Sequence, residues 1–302
     1  MTDVHPADNP SENPGERRAA YALISPAWVA FVVLLAGPSL AVVVLSLTDW
    51  QLGAPTMNFI GLGNYEQLFA DRVFWKSFTN TFVYCLVVVP GSVFLGLGLA
   101  LLIEGATFGR AFYRAAYFLP VTSTLIAMAV VWEFLLHPSV GLVNIVLEQV
   151  GITGGDWLKN PNRALFTLAG IGIWQSAGLN MVLFMAGLKA IPPDLYEAAE
   201  IDGASSVWER FRCVTWPMLG PATLFVTVVS GIRSFQVFDT VEVLTKGGPN
   251  KATEVLLYTM YTEAFNFFRT GYGAAITVVF LVVVLALTLL QVKAGEKRTH
   301  YG

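Results

Sequence analysis

Long apolar runs separated by short polar stretches dominate the sequence. Six runs are nearly free of charge, and each is long enough to cross the hydrocarbon core of a bilayer as a helix, which takes about 20 residues. The runs are residues 22–48, 77–103, 115–136, 164–188, 218–238 and 274–292. Arg233 interrupts the fifth run, and Glu133 lies near the end of the third. The pattern predicts an all-α, polytopic membrane protein with six transmembrane helices.

The composition supports this class and excludes several others. Only 13% of the 302 residues are charged, whereas soluble domains usually carry about 25%. The net charge of −3 provides no basic field for nucleic acid. Cys85 and Cys213 lie far apart, and the histidines form no HExxH pair. We therefore expect no catalytic residues, no metal site and no cofactor bound by this chain.

Six spans place both ends of the chain on one side of the membrane. Ten Lys or Arg residues flank the spans on that side and seven on the other, with Arg233 as the eighteenth. Because positive residues accumulate on the cytoplasmic side, both termini are predicted to be cytoplasmic. Residues 1–18 are predicted to be a disordered cytoplasmic tail, 19–293 a transmembrane domain in contact with lipid, and 294–302 a cytoplasmic C-terminal tail.

The connection 191–217 between the fourth and fifth runs predicts a helix–turn–helix on the cytoplasmic side. Proline at the start suits the first turn of a helix, and Gly203 can end that helix with a positive φ. Ser206 and Glu209 have the spacing of a capping box for a second helix. Ala198 and Ala199 form a small face that a partner groove could accept. The alternative is an amphipathic hairpin on lipid, but four acids in nine residues fit an anionic leaflet poorly.

Two stretches of the sequence resemble a known family. Glu197-Ala198-Ala199, Gly203 and Val214-Thr215-Trp216-Pro217 resemble the EAA motif of permease subunits of binding-protein-dependent ABC importers. Residues 238–249 are similar to the external segment of carbohydrate-type permeases of the maltose and glycerol-phosphate group, and residues 258–274 continue the likeness. The stretch from Gly203 to Pro217 is one residue longer than is usual, and Trp216 replaces a leucine.

The resemblance implies a function, partners and contact residues. It implies the transmembrane subunit of an ATP-driven importer in a bacterial cytoplasmic (inner) membrane, which carries a carbohydrate or a related polyol or sugar phosphate by alternating access. The partners would be a second permease in a heterodimer, two ATPase subunits that bind ATP and Mg²⁺, and an external solute-binding protein docked on residues 51–75 and 240–267. The residues implied to contact the ATPase are Glu197, Ala198, Ala199, Asp202 and Gly203.

Polar side chains inside the fourth and fifth runs are candidates for a solute pathway, because such groups are costly in a membrane. They are Gln175, Ser176, Asn180, Ser230, Arg233, Ser234 and Gln236. For each neutral residue, helix packing is an equally good explanation. Arg233 must pair or face water. Asp239, Glu242, Glu133 or an anionic group of the solute could pair with it.

Two other classes of function fit the sequence less well. An ion-coupled secondary transporter acting without an ATPase should show inverted repeats and buried acids, and the sequence shows neither. A membrane enzyme acting on lipid-linked substrates needs clustered acids or histidines at an interface. The cytoplasmic acids are instead accounted for by the first helix of the 191–217 connection.

Overall fold

The computed structural model describes residues 14–296. Residues 1–13 and 297–302, which contain most of the two predicted tails, lie outside the described residues. The first described helix begins at Pro14, inside the predicted N-terminal tail. The last described helix ends at Glu296, inside the predicted C-terminal tail.

Helices make up almost all of the regular structure between residues 14 and 296. Extended backbone pairs there only at one bridge, Thr48 with Phe59, so the all-α prediction is confirmed. The helices are α1 (Pro14–Phe31), α2 (Gly37–Leu45), α3 (Gly63–Ala70), α4 (Arg72–Gly105), α5 (Arg110–Thr122), α6 (Leu125–Leu135), α7 (Leu142–Gln149), α8 (Ala164–Lys189), α9 (Pro193–Ile201), α10 (Val207–Arg210), α11 (Trp216–Met218), α12 (Gly220–Phe235), α13 (Asp239–Leu244), α14 (Leu256–Tyr261) and α15 (Thr270–Glu296). Short π-helical turns lie at Val32–Ala36, Phe211–Thr215 and Thr262–Asn266.

Five helices of the described chain are long and apolar enough to cross a membrane, and a bent pair of helices makes a sixth segment if it is counted as one span, in agreement with the six predicted runs. The five are Ala20–Leu45, Arg72–Gly105, Ala164–Lys189, Gly220–Leu244 and Thr270–Lys293. The sixth, which corresponds to the third predicted run, consists of two helices, Arg110–Thr122 and Ile126–Leu135, that meet at an angle of 103°. The fifth span is also interrupted, between Phe235 and Asp239.

The break between α5 and α6 has a local cause. Pro120 removes a backbone donor in the last turns of α5, and Ser123 and Thr124 adopt extended backbone. The hydroxyls of Thr122 and Ser123 donate to the carbonyl oxygen of Leu119, at 2.9 and 3.1 Å. The carbonyl oxygen of Leu119 has no helical partner because α5 ends there. The two hydroxyls take the place of that partner, so the oxygen stays hydrogen-bonded at the bend.

The core lies where α4 packs along α8, with α12 against both. Ser92, Gly96 and Ala100 of α4 are buried and form a small-residue stripe, because residues four positions apart share one face of a helix. A Cβ atom on Gly96 would lie only 2.5 Å from the Cβ of Asn180, so the absence of a side chain lets the two helices approach closely. Phe184 and Met181 of α8 are fully buried beside this contact.

Candidate functional site: a polar cavity and a helical hairpin

A polar cavity of about 340 Å³ lies where the two interrupted spans meet. The end of α5 and the gap between α12 and α13 form one side, while α8 and α4 form the other. Its lining is Tyr84, Val88, Val121, Ser123, Gly172, Gln175, Ser176, Arg233, Ser234, Gln236, Val237, Phe238, Asp239 and Thr240.

The position of the two breaks explains why this cavity is polar. Non-helical backbone at membrane depth is tolerated only where it is covered by protein or lines a water-filled space. Residues 236–238 have left α12, and Ser123 has left α5, and all four residues line the same cavity. Broken helices of this kind present free backbone groups and polar side chains to a solute.

Five of the seven predicted pathway residues line the cavity: Gln175, Ser176, Arg233, Ser234 and Gln236. The other two, Asn180 and Ser230, are buried outside it. The Ser230 hydroxyl donates to Oδ1 of Asn180 at 3.1 Å, which joins α12 to α8. Their polarity therefore has a packing explanation, because an interhelical hydrogen bond pairs the Ser230 hydroxyl with the side-chain oxygen of Asn180. Nδ2 of Asn180 is buried without a hydrogen-bond partner among the described residues.

We expect the Asn180–Ser230 pair to act in stability. A double-mutant cycle with Asn180→Ala and Ser230→Ala should give a coupling energy of about 0.6 kcal/mol, the average for such pairs in a membrane protein. Thermal unfolding in detergent measures it, and uptake per folded transporter should stay unchanged. Thr227→Ala is the control, because the Thr227 hydroxyl bonds only the carbonyl of Thr223 in its own helix. Additive stability effects with a selective loss of uptake would contradict this assignment.

Several residues of the cavity were missed by the sequence reasoning. Tyr84 of α4 is buried, and a Cβ atom on Gly172 would clash with its hydroxyl. In an apolar run a tyrosine gives no signal of its own. Phe238 adds a second aromatic ring to the lining.

Arg233 forms no ion pair with any residue that the structure describes, and its side chain is exposed. Asp239 lines the same cavity, but the two side chains are not within 4.0 Å. Glu133 lines a separate cavity of about 310 Å³, together with His137, Asp156 and Lys159. The contact between α6 and α13 lies between the two cavities.

The segment 245–269, which precedes α15, is folded onto the end of α4. Nδ2 of Asn80 donates to the carbonyls of Lys251 and Glu254 at 3.1 and 2.8 Å, and the amide of Leu256 donates to Oγ1 of Thr81 at 2.9 Å. Burial raises the pKa of Glu254, and it raises the pKa of Glu263 although Arg269 lies 3.3 Å away. Burial also raises the pKa of Tyr258 to about 12. The segment is therefore an ordered part of the fold.

The loop between α2 and α4 is also held in place by hydrogen bonds. Nδ2 of Asn64 donates to the carbonyls of Ser46 and Thr48 at 2.9 and 2.8 Å. The amide of Leu52 donates to the carbonyl of Phe268 at 3.0 Å, and the amide of Gly271 donates to the carbonyl of Trp50 at 2.9 Å. The bond from Leu52 joins the loop 46–71 to the segment 245–269, and the bond from Gly271 joins the loop to the first turn of α15.

The helix–turn–helix predicted for residues 191–217 is present as α9 and α10, and we refer to it as the α9–α10 hairpin. Pro193 begins α9, and Gly203 has a φ of +99°. The capping box has both of its bonds, with Ser206 Oγ accepting from the Glu209 amide at 3.1 Å and Glu209 accepting from the Ser206 amide at 2.9 Å. These hydrogen bonds lower the pKa of the exposed Glu209 carboxyl.

The hairpin is anchored to the bundle at its base and open at its tip. Ile191 and Val214 belong to the main buried cluster, and the hydroxyls of Tyr196 and Thr215 lie 3.1 Å apart. In contrast, Glu197, Ala198, Asp202 and Gly203 are exposed and Ala199 is half-buried. Four of these five residues, all but Glu197, line an open groove of about 500 Å³ between the two arms.

A π-helical turn, Phe211–Thr215, lies within the longer stretch between Gly203 and Pro217. A π turn closes its hydrogen bond over five residues where an α turn uses four, so it accommodates one more residue in the same helical path. The chain then continues through α11 into α12. The connection to the fifth span thus stays helical across the longer stretch.

Within residues 14–296, no group of three or more His, Cys, Asp or Glu side chains is arranged to hold a metal ion. His137, the one histidine in this range, accepts hydrogen bonds at Nδ1 from the amides of Ser139 and Val140.

Comparison with known proteins identifies close relatives. A family model described as "Binding-protein-dependent transport system inner membrane component" matches residues 92–299. A probable ABC transporter permease protein of Pyrococcus horikoshii is 36% identical over 81% of this chain and 84% of its own length. The trehalose/maltose transport system permease protein of Thermococcus litoralis is 34% identical over 94% and 95%. The sn-glycerol-3-phosphate transport system permease protein of Agrobacterium fabrum is 32% identical over 93% and 96%.

The fold also matches that of a solved structure. A chain of a bacterial ABC transporter involved in the import of the acidic polysaccharide alginate superposes with a TM-score of 0.81 at 22% identity, covering 95% of this chain and 98% of its own. At that identity the likeness shows the fold.

Proposed function

The chain belongs to the family of binding-protein-dependent transport system inner membrane components, and we propose that it is the transmembrane subunit of an ATP-driven ABC importer for a carbohydrate or a related polyol or sugar phosphate. The observation that carries the proposal is the cavity between two interrupted spans. Its amides and hydroxyls, on Gln175, Ser176, Ser234 and Gln236, can hydrogen-bond the hydroxyls of a sugar. Relatives named for trehalose/maltose and for glycerol phosphate support this class of solute.

The α9–α10 hairpin is proposed to be the contact with the ATPase. Its exposed tip presents the small residues Ala198 and Ala199 beside the acids Glu197 and Asp202, while its base is buried in the bundle. A short capped unit of this kind moves as one body and so can transmit closure of an ATPase to α8 and α12. In this proposal ATP and Mg²⁺ are bound by the ATPase subunits, and the hairpin and both termini are cytoplasmic.

The surface formed by the loop 46–71 and the segment 245–269 is proposed to dock an external solute-binding protein. It lies at the opposite end of the spans from the hairpin, and its backbone is ordered by hydrogen bonds. A second permease subunit is proposed to pair with this one, in a heterodimer. A structural relative described as a bacterial alginate ABC transporter in complex with alginate pentasaccharide-bound periplasmic protein supports an assembly with a binding protein.

A purification experiment tests this assignment. The tagged chain, isolated in mild detergent after crosslinking, should carry an ATPase subunit and a second permease. Glu197→Arg should remove the ATPase and retain the second permease, because it reverses a charge at the exposed tip of the hairpin. The matched control is Glu148→Arg, which makes the same change on the exposed short helix α7 at the other end of the spans.

Two results would refute the proposal. One is the absence of any ATPase from the crosslinked complex. The other is solute uptake that follows an ion gradient and is unaffected by depletion of ATP, which would favour a secondary transporter.

A further inference from the structure

We propose that Arg233 pairs with an anionic group of the transported solute, so that this importer carries an acidic sugar or a sugar phosphate. The inference rests on the proposed function and narrows its class of solute. It starts from the charge of one side chain and the chemistry of the cavity that it lines.

The guanidinium of Arg233 is a cation without a counter-ion among the residues that the structure describes. It lies in the last turn of α12, inside the fifth span. Among residues 14–296, no carboxylate comes within 4.0 Å of it, and no hydrogen bond from its five donors is formed. A charge at this depth must pair or be hydrated. The partial negative charge at the end of α12 is favourable but compensates only part of a full charge.

The rest of the lining is suited to the other parts of such a solute. Gln175, Ser176, Ser234 and Gln236 are neutral hydrogen-bonding groups, and Tyr84 and Phe238 provide aromatic surface. These groups match the hydroxyls and the apolar face of a sugar ring. The planar fork of a guanidinium binds a carboxylate or a phosphate with two parallel hydrogen bonds. The cavity thus combines a sugar-binding lining with one fixed cation.

Asp239 is the competing partner, because its carboxylate lines the same cavity. It begins α13, on the far side of the gap 236–238 from Arg233. A movement that closed this gap could bring the two charges together and neutralise both. In our proposal the Asp239 carboxylate instead accepts hydrogen bonds from the hydroxyls of the solute. The two roles differ in the double variant Arg233→Gln/Asp239→Asn, which should recover uptake only if the two charges neutralise each other.

The experiment uses the complete importer in proteoliposomes, with its ATPase, second permease and binding protein. The probes are glycerol 3-phosphate and a galacturonate disaccharide, each against its neutral counterpart, glycerol and a galactose disaccharide.

ATP-driven uptake should be confined to an anionic probe. Arg233→Gln should reduce it at least about tenfold, the effect of losing 1.4 kcal/mol. Arg233→Lys should retain part of it, because lysine keeps the charge and loses the fork. Lys293→Gln, an exposed cation in the last turn of α15, is the control.

Three results would overturn the inference. The first is uptake of a neutral probe that Arg233→Gln leaves unchanged. The second is an equal loss of all uptake in Arg233→Gln and Arg233→Lys with assembly intact, which would indicate a structural arginine. The third is a loss of uptake in Asp239→Asn as large as the loss in Arg233→Gln, with uptake restored in the variant that carries both changes. This result would show an internal ion pair. ATP-driven uptake of a neutral probe leaves the proposed function standing, whereas uptake that follows an ion gradient and is unaffected by depletion of ATP refutes that function itself.

Discussion

Replacing Gly203 with proline is expected to reduce solute uptake and solute-stimulated ATP hydrolysis by roughly 5–150-fold while leaving all six spans inserted. Gly203 has a φ of +99°, and the proline ring holds φ near −65°. The substitution also removes the amide that donates to the carbonyl of Glu200 at 3.2 Å. The end of α9 must therefore rearrange, and the tip of the hairpin moves away from its present position.

The size of this effect follows from the strain at one backbone position. A residue forced out of its allowed region costs about 1–3 kcal/mol, which corresponds to roughly 5–150-fold in a coupled equilibrium. Proline also disfavours helical backbone at the residue before it, here Asp202. Uptake into vesicles and ATPase activity of the purified complex measure the loss, and protease protection measures insertion.

Gly151→Pro is the matched control. Gly151 also has a positive φ, of +78°, its amide donates to the carbonyl of Glu148 at 3.0 Å, and a Cβ atom there would meet open space, as at Gly203. It follows the short helix α7, at the other end of the spans. If both variants transport equally well, the backbone of the hairpin has no special part in coupling.

The second large effect is expected at Gly178, where leucine should prevent stable assembly of the bundle. A Cβ atom on Gly178 would clash with the carbonyl oxygen of Tyr117 and lie 3.1 Å from Val121. Because the obstacle is backbone, α5 must move away from α8. Overpacking of this kind costs typically about 1–3 kcal/mol and sometimes more. The same movement displaces Val121 and Ser123 from the wall of the cavity.

Gly170→Leu makes the same change on the same helix and serves as its control, because a Cβ atom at Gly170 has nothing within 4 Å. Yield of monodisperse complex and thermal unfolding in detergent report the difference. Gly178→Leu should give little folded complex and no uptake, and Gly170→Leu should behave like the wild type. Equal stability of the two variants would contradict the packing of α5 on α8.

The sequence was most informative where structure depends on neighbouring residues. The number of spans follows from apolar length, and the capping box of Ser206 and Glu209 involves groups three residues apart. The Ser92, Gly96 and Ala100 stripe could be read from helical spacing in the same way. Each of these features is present in the structure.

Features that depend on distant parts of the chain were not accessible in this way. The length of an apolar run does not show whether the helix changes direction within it. The bend of 103° between α5 and α6 was therefore not predicted, even though Pro120 lies beside it. The hydrogen bond between Asn180 and Ser230 joins residues fifty positions apart. Both residues were pathway candidates because they are polar and lie in spans. Only the packing of the helices shows that they bond each other and do not line the cavity.

The hydrogen bonds that join the loop 46–71 to the segment 245–269 and to the first turn of α15 have a consequence for kinetics. Immobilising a flexible side chain on association costs about 0.5–1.5 kcal/mol. The bonds from Leu52 to Phe268 and from Gly271 to Trp50 fix the backbone before any protein arrives. If a solute-binding protein docks there, as we propose, it meets backbone that is already held by hydrogen bonds, and its association rate should be governed by diffusion and orientation, with little contribution from slow loop ordering.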